Sequence, residues 1–336
     1  MSQRLAVVGA GTMGHGIAQL FAHHGWEAVL IARKRESLDR ARTQIENNLS
    51  LLSRHGAGPG DGVAAVLGRI SATTDLSEGL ARTDLVFEAI PESPDAKREV
   101  YREIGKSAPE EALVASTTSG LNIFEIAPDF PGPRRLIIAH FWNPPYLVPL
   151  VEVVLGPETG KETADAMMAI LKALGGAPVL IRKCIPGFIG VRLASALYRE
   201  CVSLIQDGVT DAEGIDAVMR EGLSLRFPIL DPMQVPDFGG LDTFRLVWES
   251  MFPEISAAKE VPPVVSDMVD SGDLGLKSGK GFYDYAGHSR RDLLRERDEK
   301  LLLWLKERDR YRLSMFVDRD SSPAADGGRD ARPADN

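Results

Sequence analysis

Short apolar runs alternate with amphipathic segments along the first half of the chain. The runs are four or five residues long, as buried strands are, and the segments between them have helical periodicity. This alternation predicts a parallel sheet with helices on both faces, an α/β architecture. The predicted strands are residues 5–8, 28–31, 85–89, 113–116, 136–139 and 150–154, and helices are predicted at 36–53 and 96–107.

The second half of the chain loses this alternation and is predicted to be all-α. Ile189, Leu193, Leu197, Cys201 and Ile205 recur every four residues, which predicts one helix over 185–206 with a continuous buried stripe. The stripe can serve the core of its own domain or a dimer interface, and we expect its own core. Further helices are predicted at 212–221, 241–248, 261–271 and 292–315, and strand alternation returns only at 281–285.

Length and composition predict a globular protein with two domains. The chain has 336 residues, 44% of them hydrophobic and 26% charged. We expect domains at residues 1–184 and 185–315 and a disordered tail at 316–336, where apolar residues are nearly absent. A net charge of −9 argues against nucleic-acid binding, and the apolar runs are too short for a membrane span.

The sequence gives no reason to expect a disulfide scaffold, a metal site or a signal peptide. The two cysteines, Cys184 and Cys201, are too few for a disulfide scaffold or a cysteine metal site. No His and carboxylate cluster has metal-ligand spacing, so no metal is expected. The first strand begins directly after the N-terminus, which leaves no room for a signal peptide and predicts a cytoplasmic protein.

A glycine-rich turn follows the first predicted strand. Gly9, Gly11 and Gly14, with Thr12 and Met13 between them, lie between that strand and an amphipathic helix. The three glycines permit a sharp turn, close approach of a pyrophosphate, and close packing of helix on strand. The helix N-terminus then offers N–H groups and a positive dipole end to phosphates. Strand, glycines and helix in this order predict a Rossmann-type dinucleotide-binding domain.

The end of the second strand bears on the choice of cofactor. An enzyme that uses NAD usually has Asp or Glu there to bind the ribose 2′-hydroxyl, whereas this chain has Ala32, followed by Arg33, Lys34 and Arg35. The local chemistry favours NADP, with Arg33 as a candidate contact of the 2′-phosphate. A solvated basic loop is the equally weighted alternative.

A histidine and a glutamate are the candidates for chemistry. His140 ends an apolar strand pattern and is followed by Asn143 and a Pro-Pro turn; Glu152 lies twelve residues later, between Val151 and Val153. A carboxylate among strand apolar residues needs a partner, and an imidazole is a suitable one. Such a pair orients the ring and stabilises its protonated form, as a general base for an alcohol proton requires.

Over about residues 3–285, these motifs resemble the L-3-hydroxyacyl-CoA dehydrogenase family. The resemblance is carried by GAGTMGHGIAQ at the N-terminus, FEAIPE at 87–92, STTSG at 116–120, HFWNPP followed by VEV, IPGFIGVRL at 185–193 and LGLKSGKGFYDY at 274–285. It implies a Rossmann-type domain followed by an all-α domain, NAD as the cofactor, fatty acid metabolism and a homodimer built through the helical domain. NAD against NADP therefore stays open at this point.

The resemblance also implies roles for individual residues. His140 and Glu152 correspond to the catalytic dyad, and Ser119 and Asn143 to the groups around the reacting oxygen. Glu92 and Lys97 correspond to residues near the nicotinamide. From the residues alone, a solvated ion pair is the alternative for Glu92 and Lys97, and a polar turn at a strand end is the alternative for Ser119.

The chain departs from the family pattern at three places. Val191 replaces an Asn that contacts substrate, and Ala32 replaces the acidic ribose ligand. Residues 44–68, which correspond to a helix that contacts coenzyme A, contain no Lys; the basic groups there are Arg54, His55 and, nearby, Arg69. Coenzyme A carries several phosphate charges and normally recruits Lys or Arg. The segment NPPYLVPLVE at 143–152 is also similar to that of relatives that act on small polar substrates, such as gulonate, carnitine and pyridine-carboxylate dehydrogenases.

Three functions follow from these observations. The first is an NAD(P)-dependent dehydrogenase of a 3-hydroxyacyl compound, with a coenzyme A thioester as the leading substrate. The second is a dehydrogenase of a small polar hydroxy acid or alcohol without coenzyme A. The third is a nucleotide-binding protein without turnover, which Val191 favours and the His140–Glu152 pair disfavours.

Overall fold

A computed structural model describes residues 3–310 and contains an eight-stranded sheet in the first half of the chain. The strand order is β3-β2-β1-β4-β5-β6-β7-β8; all neighbours are parallel except the antiparallel pair β6–β7. The order reverses between β1 and β4, which is where doubly wound sheets bind ligands. The strands are β1 (Arg4–Val8), β2 (Glu27–Ile31), β3 (Ile70–Thr73), β4 (Leu85–Glu88), β5 (Leu113–Ser116), β6 (Leu136–Phe141), β7 (Leu150–Val154) and β8 (Ala177–Ile181).

Seven helices connect or flank these strands, and the described residues after β8 form helices joined by irregular segments. The helices of the first half are α1 (Thr12–His23), α2 (Arg35–Arg54), α3 (Val63–Gly68), α4 (Leu76–Leu80), α5 (Pro94–Ser107), α6 (Ile123–Ile126) and α7 (Lys161–Ala173). Those that follow are α8 (Gly190–Gln206), α9 (Ala212–Val218), α10 (Ser224–Arg226), α11 (Gln234–Gly239), α12 (Leu241–Met251), α13 (Pro263–Asp270) and α14 (Arg290–Glu307). The predicted class, a Rossmann-type α/β domain followed by an all-α domain, is confirmed.

The core lies in the central strands of the sheet. Every residue of β4 and of β6 is buried, because helices cover both faces of the sheet at these strands. Val86, Val114 and Ile138 are fully buried in one apolar cluster with residues of α5. Consecutive apolar residues are therefore the expected pattern for these strands, and this is why they could be read from the sequence.

Two edge strands and one segment differ from the sequence predictions. β3 and β8, which were not predicted, lie at the two edges of the sheet and have exposed positions. β3 (ISAT) has no continuous apolar run, whereas β8 (APVLI) is apolar throughout and contains Pro178, a residue that argues against a strand except at a sheet edge. The alternation at 281–285 forms only isolated bridges, from Lys280 to Gly275 and to Asp284, rather than a strand.

The helix predicted over 185–206 begins later and is less buried than expected. It begins at Gly190, because Pro186 is followed by two residues with positive φ. Ile189, Leu193 and Leu197 are exposed by 46%, 66% and 38%, so the expected burial in the core of their own domain is wrong. Three of the five apolar residues of this stripe are therefore exposed in the part of the chain that the structure describes.

The chain divides into two compact units, Met1–Leu197 and Tyr198–Asn336. The expected domain limits at residues 184 and 315 stay predictions, and the predicted tail at 316–336 lies outside the described residues. α14 has buried Asp298 and Leu302, whereas Leu303 and Trp304 are exposed, so its apolar residues do not form one buried face. Among the described helices, none is both long and apolar enough to cross a bilayer.

Candidate active site

Three glycines shape the turn between β1 and α1. Gly9 has a φ of +118°, and a Cβ placed on it would collide with the carbonyl oxygen of Ala89. A Cβ on Gly14 would collide with the carbonyl of Gly9, whereas the space beside Gly11 is open. Gly9 and Gly14 therefore keep the turn close to the sheet, and Gly11 leaves room for a ligand against the backbone.

The N-terminus of α1 fits an anionic group. Gly11 precedes the helix and provides no side-chain cap. The N–H groups of the first turn, on Thr12 and Met13 among others, have no partner within the helix and carry the positive end of its dipole. A pyrophosphate is well suited to this combination of glycine turn and helix end. The residues present therefore fit a dinucleotide, with Gly9, Gly11, Thr12, Met13 and Gly14 as the proposed contacts.

The end of β2 offers no carboxylate to a ribose. Ala32 follows the strand, and Arg33 and Lys34 are exposed at the beginning of α2. Arg35 lies 3.4 Å from Asp39 in the same helix, with both side chains largely exposed. This geometry is compatible with the solvated basic loop that the sequence left open.

The other candidate residues lie along one edge of the sheet. Glu88 and Ser116 are register partners at the carboxyl ends of β4 and β5. Glu92 follows the first of these strands and Ser119 the second, while His140 is the penultimate residue of the neighbouring parallel strand β6. The carboxyl ends of parallel strands therefore bring these side chains to the edge that carries the glycine turn.

His140 and Glu152 face each other across the antiparallel pair β6–β7. They are direct register partners, so their side chains point to the same face of the sheet. Nδ1 of His140 lies 2.8 Å from Oε2 of Glu152, and the two residues are 7% and 2% exposed. The twelve-residue spacing thus reflects a connection between two strands that pair directly.

Four donors hold the carboxylate of Glu152. Oε2 accepts from Nδ1 of His140 and, at 3.3 Å, from the indole N–H of Trp142. Oε1 accepts from the backbone N–H groups of Ile189 and Gly190, each at 2.9 Å, at the beginning of α8. Burial is the largest influence on the pKa of Glu152 and raises it, but these four bonds outweigh burial and lower the pKa to about 2.

The ionised carboxylate decides which nitrogen of His140 carries the proton. An ionised carboxylate can only accept hydrogen bonds, so Nδ1 of His140 must donate to Glu152. In the neutral ring the lone pair is then on Nε2. This tautomer leaves Nε2 as the atom that can accept a proton from a ligand.

The segment before α8 packs against the dyad in a strained conformation. Gly187 and Phe188 have consecutive positive φ values of +73° and +46°. Phe188 is fully buried, and its ring centroid lies 5.6 Å from that of His140. A Cβ on Gly190 would collide with the indole of Trp142. Sequence reasoning recognised this segment as a motif but assigned no role to Trp142, Phe188 or the N–H groups that bind Glu152.

Glu92 and Ser119 meet at the ends of β4 and β5. Oε1 of Glu92 accepts from the backbone N–H of Ser119 at 2.7 Å, from its hydroxyl at 3.1 Å, and from the hydroxyl of Thr118 at 2.8 Å. Burial raises the pKa of Glu92, but these bonds and the charge of Lys97 outweigh burial and lower the pKa. The polar turn is therefore organised around an ionised carboxylate.

Lys97 is buried rather than part of a solvated pair. Its side chain is 1% exposed, and Nζ lies 2.7 Å from Oε1 of Glu88 and 3.4 Å from Oε2 of Glu92. Sequence reasoning missed Glu88, although an acidic residue that ends an apolar strand pattern is a usable signal for a buried partner.

Asn143 and Val191 are not among the groups whose hydrogen bonds hold His140 and Glu152. Asn143 is exposed in the β6–β7 connection, before a cis peptide bond to Pro144, and its side chain is not among the groups that hold the dyad. Val191 is half-buried in the first turn of α8. The expected contact of Asn143 with a reacting oxygen stays a prediction.

Glu152→Gln should destabilise the protein in a pH-dependent way. The folded-state pKa of about 2 is below the ordinary 4.5 of an unfolded chain, so ionised Glu152 stabilises the fold above pH 4.5. That contribution, about 3 kcal/mol, is lost as the pH falls towards 2. Urea unfolding at pH 6, 4 and 3 should show the difference between wild type and variant shrinking. The exposed Glu162→Gln is the control, and a difference independent of pH would contradict the geometry.

Comparison with known proteins places both halves of the chain in one family. The NAD binding domain of 3-hydroxyacyl-CoA dehydrogenase matches residues 4–184, and the C-terminal domain of the same family matches residues 187–285. A probable 3-hydroxybutyryl-CoA dehydrogenase of Deinococcus radiodurans is 37% identical over 283 residues, which cover 84% of this chain and 100% of that protein.

A second relative acts on a different kind of compound. The 5-formyl-3-hydroxy-2-methylpyridine 4-carboxylate 5-dehydrogenase of Mesorhizobium japonicum is 32% identical over 303 residues, 90% of this chain and 97% of that protein. A crystal structure of an enzyme of this name, described as an NAD⁺-dependent dismutase, superposes with a TM-score of 0.85 at 29% identity. It covers 92% of this chain and 99% of that one.

These findings bear on the cofactor and on the family. They support a nicotinamide cofactor, whereas NADP, which Ala32 and residues 33–35 favour in the sequence, is not supported. The N-terminal and C-terminal domains of one family match consecutive parts of the chain. The chain therefore belongs to the 3-hydroxyacyl-CoA dehydrogenase family and is an oxidoreductase of the type that acts on CH–OH donors.

Proposed function

We propose that this protein interconverts a 3-hydroxyacyl compound and its 3-oxo form with NAD, using His140 and Glu152 as the catalytic dyad. The observation that carries the proposal is the 2.8 Å bond between Nδ1 of His140 and the ionised, four-fold hydrogen-bonded Glu152. This pair fixes one tautomer of a buried imidazole at the edge of the sheet where the dinucleotide turn also lies.

Oxidation of a secondary alcohol requires loss of a proton from oxygen and a hydride from carbon. When bound, the nicotinamide supplies the hydride acceptor. Nε2 of His140 takes the hydroxyl proton, and Glu152 stabilises the imidazolium that results. Phe188 packs on the ring and excludes water from that side. In the reverse direction, protonated His140 donates to the keto oxygen.

Ser119 and Asn143 are the proposed groups that orient the substrate oxygen. Ser119 is exposed and its hydroxyl donates to Glu92 at 3.1 Å, so an oxygen of the substrate would compete with Glu92 for this proton. Asn143 is exposed in the connection that follows His140. Holding the oxygen in line with His140 lowers the entropic part of the barrier.

A second candidate substrate is a small hydroxy acid or alcohol without coenzyme A. In residues 44–68, the segment expected to contact coenzyme A, no Lys is present. Arg69 nearby is already engaged: it donates to Asp61 at 2.6 Å and to the carbonyl of Ala22 at 2.8 Å. The relative named for a pyridine carboxylate also matches more of this chain than the 3-hydroxybutyryl-CoA enzyme does, 90% against 84%.

The decisive assay is oxidation of NADH and of NADPH by the purified protein with acetoacetyl-CoA, beside a panel of small 3-oxo acids. We expect turnover with NADH. His140→Ala should lower kcat by about a hundred- to ten-thousandfold, because the general base is lost, and should leave NADH binding intact. The exposed His24→Ala is the matched control.

The outcomes of this assay separate the candidates. Turnover with acetoacetyl-CoA that His140→Ala abolishes supports the leading proposal, and turnover only with small acids supports the second. Substantial activity in His140→Ala would refute the dyad. Tight NADH binding without turnover on any substrate would support a nucleotide-binding protein that has lost catalysis.

Gly190→Ala should lower kcat by about tenfold with little effect on the KM for NADH. The added Cβ meets the indole of Trp142 and displaces the N–H group that holds Glu152. In a Trp142→Phe background the collision is relieved, so the same change should cost less. Equal losses in the two backgrounds, measured by steady-state kinetics, would contradict this explanation.

We further propose that the apolar stripe of α8 is covered by a second copy of the chain. Ile189, Leu193 and Leu197 are exposed, and an apolar stripe of this kind is a common oligomer interface. Sedimentation should give a dimer for wild type and a monomer for Leu193→Glu. Ser195→Glu, which adds the same charge on another face of the helix, should remain dimeric. A monomeric wild type at micromolar concentration would exclude this interface.

A further inference from the structure

Glu88 is a buried carboxylate that the proposed mechanism does not use. It is 0% exposed at the end of β4, and each of its oxygens accepts two hydrogen bonds. Oε1 accepts from the backbone N–H of Ile90 at 2.9 Å and from Nζ of Lys97 at 2.7 Å. Oε2 accepts from the hydroxyls of Ser116 at 2.7 Å and Tyr101 at 3.2 Å. A buried carboxylate is stable only when its oxygens are hydrogen-bonded in this way.

Lys97 joins this buried carboxylate to the surface of the candidate site. Its ammonium contacts Glu88 on one side and lies 3.4 Å from Oε2 of Glu92 on the other. Glu92 in turn holds the backbone and hydroxyl of Ser119. The order of contacts is therefore Glu88, Lys97, Glu92, Ser119, and it runs from the core to an exposed residue of the proposed substrate site.

The charges of this chain of contacts do not cancel. Glu88 and Glu92 each contribute one negative charge and Lys97 one positive charge, so the group carries a net charge of −1. Without Glu88, the ammonium of Lys97 would be neutralised by Glu92 alone, and the group would be neutral. Glu88 therefore determines whether the negative charge of Glu92 is left uncompensated or is cancelled by Lys97.

We propose that Glu88 is a positioning residue that, by neutralising Lys97, leaves the charge of Glu92 available to the nicotinamide ring and fixes Ser119. The proposal rests on the proposed function and on the family resemblance, which implies that Glu92 lies near that ring. The oxidised ring is positively charged and the reduced ring is neutral. A nearby net charge of −1 favours binding of NAD⁺ over NADH, and a neutral group does not.

The test measures the dissociation constants of NAD⁺ and NADH for the full-length protein, by calorimetry and nucleotide fluorescence. Glu88→Gln should raise the ratio of the NAD⁺ constant to the NADH constant by about five- to tenfold, because the site loses a negative charge. The double variant Glu88→Gln/Lys97→Met restores the net charge to −1 and should return this ratio to within about twofold of wild type.

The control variant is Glu103→Gln in the same helix as Lys97. Glu103 pairs with Lys106 at 2.7 Å on the exposed surface of α5 and should change neither the ratio nor kcat. Glu88→Asp keeps the charge but withdraws it from Ser116, so we expect an unchanged ratio with a lower kcat. If Glu88→Gln fails to fold, Lys97→Met serves instead: it leaves both carboxylates and changes the net charge of the group to −2, so the ratio should fall, and an unchanged ratio would overturn the proposal.

A purely structural role for Glu88 predicts a different result. Glu88→Gln would then lower stability, and the ratio of the two dissociation constants would remain that of wild type. That outcome, or a double variant whose ratio stays with the single variant, overturns the proposal. Failure of the proposed function is distinguishable, because it removes turnover from wild type while the shift in nucleotide binding needs no turnover to be measured.

Discussion

The buried carboxylate of Glu152 forms hydrogen bonds with three parts of the chain around the candidate site. Glu152 is almost completely buried in β7 yet ionised, and a charge in that position must be fully hydrogen-bonded. Its donors come from three places: the side chain of His140 in β6, the indole of Trp142 after that strand, and the N-terminus of α8. Satisfying this charge therefore fixes the ring of the histidine and the beginning of the helix at the same time.

Local features of the chain follow from this requirement. The start of α8 can approach Glu152 only because Gly190 has no side chain beside Trp142. The two residues with positive φ, Gly187 and Phe188, turn the chain so that its N–H groups point at the carboxylate. The strained residue, Phe188, packs its ring beside that of His140. Backbone strain is common at functional sites.

Much of this arrangement could be predicted from sequence, and the reasons are specific. β1, β4, β5 and β6 are buried and appear as continuous apolar runs, whereas the edge strand β3 does not. The other edge strand, β8, is apolar but is interrupted by Pro178, which obscures its strand pattern. The pairing of His140 with Glu152 could be inferred because a carboxylate among strand apolar residues needs a partner. The backbone donors at residues 189–190 could not, because N–H groups carry no residue-type signal and come from a distant part of the chain.

The most direct test of the account is the tautomer of His140, read from the ¹⁵N chemical shifts of histidine-labelled protein. An ionised Glu152 that accepts from Nδ1 requires a protonated Nδ1 and an unprotonated Nε2 at neutral pH. We expect that pattern for the one resonance set that disappears in His140→Ala. A proton on Nε2 instead, with Nδ1 unprotonated, would contradict the proposed base and the role assigned to Glu152.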